Sequence, residues 1–120
     1  MRVRRTHVAD RDIDGILADT LTLFGERQVL RYADLIARTI DTIADNPQQA
    51  ASRDQPNIGH GVRSLRLADS RLRSRRRASH RIYYVVRQEL GEVVVLRVLH
   101  DRMDPLLRVL RALGDEIRRS

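Results

Sequence analysis

The sequence contains no cysteine and no tryptophan, and every one of its 23 basic residues is arginine, with no lysine at all. Without cysteine there are no disulfides, no thiol nucleophile and few of the usual structural zinc sites, a composition suited to a reducing cytoplasm. Aromatic residues make up only 3%, one Phe and three Tyr, so the core must be aliphatic and a base-stacking platform is poorly supported. No apolar run approaches the roughly 20 residues of a membrane span. Met1-Arg2-Val3-Arg4-Arg5-Thr6 carries charge but no apolar secretory core, so a soluble, cytoplasmic protein is expected.

Several chemistries are missing as well. Gly59-His60-Gly61 lacks the Lys and the helix of a phosphate loop, and no serine sits in a nucleophile elbow. Asp10-Arg11-Asp12-Ile13-Asp14-Gly15 opens like a calcium loop, but its twelfth position is Leu21 where a bidentate Glu is needed. The histidines His7, His60, His80 and His100 show no i,i+4 pairing beside a carboxylate cluster. Neither a metal nor a cofactor is expected.

What is present is a net charge of +7 on 120 residues, enough chain for one domain spanning 1–120. Such a surplus favours an anionic partner: nucleic acid, a ribosome or an acidic protein segment. The densest block is Arg71, Arg73, Arg75, Arg76 and Arg77, five arginines in seven residues. Five cations so close together cannot all be paired internally, so several are expected to face solvent, phosphates or carboxylates.

The periodicities specify the elements. A short strand is expected within residues 2–8. Ile13, Ile16, Leu17, Leu21 and Phe24 recur at helical spacing from Asp12, with Asp10, Asp12 and Asp14 placed to favour the helix N-terminus. Gly25 ends this helix, and a second follows almost without a loop, carrying Val29, Ala33, Ile36, Ile40 and Ile43 up to Asn46-Pro47. Together they predict an αα-hairpin. Residues 47–61 read as a surface loop and 62–67 as a short strand. Residues 80–87 and 93–99 form a β-hairpin turning at Glu89-Leu90-Gly91-Glu92, apolar on both faces and therefore central in the sheet. Asp104-Pro105 pairs an N-cap with proline at the first helical position, and a short helix over about 105–117 carries Leu106, Leu107, Leu110 and Leu113. The expected class is α+β, in the order β-α-α-β-β-β-α, with the helical hairpin packed on a mostly antiparallel sheet.

The hairpin ends in His100-Asp101-Arg102-Met103-Asp104. A histidine titrating near neutrality is a candidate acid or base, although a strand-end His bonded to its neighbour, with Asp104 used as a cap, is the plainer reading. His80 at the other strand's start invites the same two readings. Tyr83 and Tyr84 point to opposite faces and read as core or groove residues.

Six segments in order resemble one family. They are Ala9-x-x-Asp12-Ile13-x-x-Ile16, Phe24-Gly25-x-x-Gln28-x-x-x-Tyr32, Asn46-Pro47, Gly61-x-Arg63-x-Leu65, His80-Arg81-Ile82-Tyr83-Tyr84 and Val98-Leu99-His100-x-Arg102-Met103-Asp104. The set, over about residues 3–104, resembles the ParE branch of the RelE/ParE toxins of bacterial toxin-antitoxin pairs. The resemblance implies a RelE/ParE-like α+β fold. It also implies a growth-inhibiting toxin, associated with plasmid stabilization, that traps DNA gyrase on cleaved DNA and blocks replication. A ParD-like antitoxin, of ribbon-helix-helix type, would silence it by wrapping it with a C-terminal helical segment. Nucleic acid would then be met only through the complex.

The related RelE branch cleaves mRNA on the ribosome. For that alternative the resemblance points to Arg81 as phosphate clamp and His100 as proton carrier. The position after that histidine, often Tyr in those nucleases, is Asp101 here. An ionised aspartate beside a scissile phosphate would repel it, which favours the non-enzymatic ParE type. The binding face expected on this reading comprises Arg73, Arg75, Arg76, Arg77 and Arg81, with His100, Arg102, Met103 and Asp104 at the C-terminal edge of the sheet.

Overall fold

The computed structural model describes residues 1–67 and 79–119. Strand β1 (Arg2–Arg5) leads into α1 (His7–Phe24) and α2 (Glu26–Asp45). Then come β2 (Arg53–Asp54), β3 (Arg63–Arg66), β4 (His80–Arg87), β5 (Glu92–His100) and α3 (Pro105–Arg119). The five strands form one sheet in the order β1-β5-β4-β3-β2, parallel between β1 and β5 and antiparallel elsewhere. The expected class and element order hold, with the two-residue β2 added inside the stretch read as a loop. That strand is held by Arg63, whose Nε donates to Ser52 Oγ at 2.9 Å.

α1 starts at His7, five residues before the start its apolar stripe predicts. Thr6 is the reason. Its backbone N–H donates to Val95 at 3.0 Å and its hydroxyl to Leu96 at 2.8 Å, fixing the end of β1 on β5. The same Oγ1 accepts from Ala9 N–H at 3.0 Å, which caps the helix there. Asp10 therefore lies in the first turn, where negative charge favours the helix N-terminus, while Asp12 and Asp14 lie further along the helix. Gly25, at φ 88°, joins α1 directly to α2, a conformation that costs a side-chain-bearing residue free energy. The β4–β5 connection closes on Gly91 in the left-handed region, φ 62° and ψ 33°. At the end of the chain α3 runs two residues beyond the expected span, to Arg119.

Both faces of the sheet are buried, as the two apolar faces of the hairpin require. On one face Leu65, Leu67, Ile82, Tyr84, Val93 and Val95 pack against Ile36, Ile40 and Ile43 of α2 and Ala9 of α1. On the other, Val62, Tyr83, Val85, Val94, Leu96 and Leu99 pack against Ile58 and against Val109 and Ala112 of α3. Each large aliphatic side chain so enclosed contributes about 1.5–3 kcal/mol relative to exposure.

Two ionic fastenings hold the layers. Arg97 donates through Nε and Nη2 to Asp12 of α1 at 2.7 and 2.9 Å, and Val98 N–H donates to the same carboxylate at 3.0 Å. This sits where the register slips: Tyr83 opposes Arg97 but Tyr84 opposes Val95, leaving Leu96 as the extra residue of a β-bulge. At the other end, Glu116 of α3 is buried between Arg4, which also bonds Glu92 at 3.1 Å, and Arg87 at 3.3 Å. The bond to Glu116 holds the Arg4 guanidinium well above its ordinary pKa.

Candidate functional site

The ionisable residues gather where β4 begins and β5 ends. His80 pairs with His100 across the ladder and Arg81 with Leu99. Because side chains alternate, His80 and His100 lie on the helical-hairpin face while Arg81 lies on the α3 face.

On the hairpin face three rings interlock. The rings of His80 and His100 meet edge to face with centroids 5.1 Å apart, and Tyr32 of α2 meets His80 likewise at 5.6 Å. Tyr32 Oη is hydrogen-bonded to His80 Nδ1. Burial, reinforced by Asp101, pushes the Tyr32 hydroxyl up to about 12, so it keeps its proton. Burial is also the main reason the His80 pKa is lowered; His100 adds to it, while Asp101 and Asp19 oppose it. His100 Nδ1 accepts from the Arg102 backbone N–H at 3.0 Å. That nitrogen serves the turn, and only Nε2 remains for anything else.

On the α3 face the neighbours are cations and hydroxyls. Arg66 of β3 stands directly opposite Arg81 of β4 and is paired with Asp101. Arg81 is only 9% exposed, yet among the described residues its one hydrogen bond is to Ser64 Oγ at 3.1 Å. Burial lowers its pKa, and Arg66 and Arg53 add to that. Ser64 Oγ also accepts from Gln55 Nε2 at 2.9 Å. Tyr83, 7% exposed and cross-strand from Ser64, has its hydroxyl pKa raised, by burial first.

The turn between β5 and α3 is built from its own polar groups. Asp101 N–H donates to Ser79 at 2.7 Å and Met103 N–H to His100 at 2.9 Å. Asp104 Oδ1 accepts from Leu106 N–H at 3.1 Å, the capping role the Asp-Pro pair predicts. Arg102, Met103 and Asp104 are exposed. Arg102, Met103 and Asp104 thus follow His100 in one turn, and the sheet separates Arg81 from His100, although Asp101 of that turn, paired with Arg66, favours the Arg81 charge. Arg73, Arg75, Arg76 and Arg77 lie outside the described residues.

Sequence reasoning missed Tyr32 and Arg66 as members of these clusters. Tyr32 stood within a family-like segment but had no visible link to a histidine 48 positions away. Arg66 carried a signal, a charged residue alternating with Leu65 and Leu67, that the denser arginine block overshadowed. Among the described residues no group of three or more His, Asp or Glu side chains is arranged to hold a metal. Nor is any helix of the described residues long and apolar enough to cross a membrane.

A separate cleft of about 420 Å³ opens between α1 and α2. Ile13, Leu17, Ile36 and Ile40 give it apolar walls, and the Arg5–Asp10 ion pair, at 2.5 Å, lies on its rim. The hairpin tip is also apolar and open, with Phe24 70% and Leu30 72% exposed.

With this geometry established, comparison with known proteins gives a family match and solved structures of similar fold. A family described as the ParE toxin of the type II toxin-antitoxin system, parDE, matches residues 3–105. A solved structure described as the chromosomal ParDE TA system from P. aeruginosa has the same fold, with a TM-score of 0.63 and 23% identity. The match covers 83% of this chain and 95% of that one. No curated protein matches the chain.

Proposed function

Since this chain belongs to the ParE toxin family of type II toxin-antitoxin systems, we propose that it inhibits DNA gyrase by binding without chemistry and is silenced by a ParD-like antitoxin. The observation that carries this reading is the family match over residues 3–105, on a chain whose fold is also that of a ParDE structure. A poison of this kind needs no catalytic group. It binds the state of gyrase with cleaved DNA more tightly than the resealed state, and each tenfold of preference shifts that equilibrium by about 1.4 kcal/mol.

The opposite-face placement of Arg81 and His100 weighs against the nuclease alternative, because a proton carrier and a phosphate clamp must reach one phosphate. His100 Nδ1 is moreover already accepting a backbone hydrogen bond. The α1–α2 cleft suits the apolar side of an antitoxin helix, with charges at its rim to set orientation.

The test is to incubate purified, antitoxin-free protein with gyrase, ATP and plasmid DNA, scoring supercoiling and trapped double-strand breaks beside a translating-ribosome control. Trapped breaks that vanish on adding antitoxin are expected. Cleaved mRNA with gyrase untouched overturns the proposal, and His100→Ala then becomes the first variant to make.

A further inference from the structure

The helix α3 has two faces. Val109 and Ala112 are buried against the sheet, beside Glu116 on its arginines. On the outward side Leu107, Leu110 and Ile117 are 60%, 43% and 62% exposed, although each is a large aliphatic residue. With Gly114 they recur at intervals of three, four and three residues, which aligns them along one side of the helix like the seam of a coiled coil. A side chain at Gly114 would meet only the tip of Arg118, so the strip is flat there and a second helix can come close. Single exposed leucines need no explanation, but an aligned set on one helix does. The charges beside the strip have a direction. Asp104 precedes the helix, Arg108 and Arg111 lie in its first half, and Asp115, Arg118 and Arg119 lie in its second. Arg111 has no hydrogen bond or ion pair among the described residues. The Asp115–Arg118 pair, at 2.8 Å, is open to solvent and contributes little within the chain.

We infer that two copies of this chain associate through antiparallel α3 helices, with Leu107 of each against Ile117 of the other and Leu110 against Gly114. That register sets Asp115 level with the span between Arg108 and Arg111 of the second copy. It also brings Asp104 within about 3 Å, along the axis, of the second copy's Arg118. Two-fold symmetry repeats each pairing of opposite charges. A parallel pair would instead stack Arg108, Arg111 and Arg118 each on itself, which disfavours it. An anionic membrane surface would meet Asp104 and Asp115 beside the strip, whereas a second copy has an arginine for each. With 15 residues α3 is about 22 Å long, so one of its faces covers less than the roughly 800 Å² per partner of a standard interface. The dimer is therefore weak, with a dissociation constant on the order of 10 μM. Because α3 and the helical hairpin lie on opposite faces of the sheet, the pair leaves both α1–α2 clefts open. Each copy can then take its own antitoxin, a consequence that rests on the proposed function, as the association itself does not.

The experiment is sedimentation velocity on antitoxin-free protein from about 1 to about 200 μM, a range that brackets the expected constant. The apparent mass should rise from that of one chain toward that of two. Leu110→Arg, an exposed change that leaves the melting temperature of the dilute protein unaltered, should weaken association about tenfold. Asp115→Arg and Arg111→Asp should each weaken it about threefold alone, and an equal mixture of the two should recover it, because opposite charges then face each other. Since the chain has no cysteine, Leu107→Cys and Ile117→Cys read out the direction of the helices. Mixed and oxidised, these variants should cross-link to each other and neither to itself, since identical positions sit about 15 Å apart along the axis. A monomer at every concentration overturns the inference, as does self-cross-linking of each variant in place of the mixed product. A monomer whose capture by the antitoxin is weakened by Leu110→Arg assigns the strip to the antitoxin and overturns it equally. Gyrase is absent from these assays, so a monomer leaves the trapping proposal standing, and failure of trapping leaves this inference standing.

Discussion

Two arginines of the same sheet, Arg97 on β5 and Arg81 on β4, are treated in opposite ways. Arg97 is held by a two-point bond to Asp12 of α1, whose carboxylate also takes the Val98 N–H. Arg81 faces α3, stands opposite another arginine, and bonds a serine hydroxyl. Both give up hydration on burial, but only Arg97 recovers it through a carboxylate within the fold. Arg97 is therefore answered by a charge within the fold, whereas Arg81 is answered by a neutral hydroxyl.

The sharpest way to break this comparison is Asp12→Ala. It leaves the Arg97 guanidinium and the Val98 amide unpaired inside the bulge, and should cost about 3 kcal/mol of unfolding free energy in urea denaturation. A loss under 1 kcal/mol would mean that the fastening is decorative and the two arginines are alike. Arg81→Met should behave oppositely. It removes a cation facing another cation and leaves Ser64 still bonded by Gln55, so the protein should gain about 1 kcal/mol. A loss comparable to that of Asp12→Ala would show that Arg81 serves the fold.

A smaller effect is expected at the ring cluster. Tyr32→Phe removes the hydrogen-bond partner of His80 Nδ1 and should cost about 1 kcal/mol, read as a lowered urea midpoint with an unchanged slope. The weakest effect is the pH dependence of the same cluster. His80 has a folded-state pKa below its ordinary value of 6.5, so the unfolded chain takes up the proton first. Its contribution to stability is fully present above that value and declines as pH falls from there toward the folded-state pKa. His80→Gln should flatten the wild-type decline over that window; an unchanged profile would place the titrating group elsewhere.

Much of this was legible in the residues. The apolar stripes of both helices, Gly25 between them, the two-faced hairpin and the Asp104-Pro105 cap each depend on side chains within a few positions of one another. The start of α1 was not, because Thr6 becomes a cap only once its backbone is pinned to Val95 and Leu96, some 90 residues on. The composite of His100 with Arg81 was not legible either: both stand at strand ends, but the β4–β5 register sends them to opposite faces.

The sequence by itself determined the element types, their order, an aliphatic core and a surplus of arginine, since periodicity, turn residues and net charge are local or additive properties. Only the tertiary structure decided which arginine meets a carboxylate and which meets only a hydroxyl. Pairing Asp12 with Arg97 across 85 positions, and Arg66 with Arg81 across a ladder, depends on strand register and on a single extra residue at Leu96. A one-residue slip turns every later side chain to the other face, so no local pattern can carry that choice.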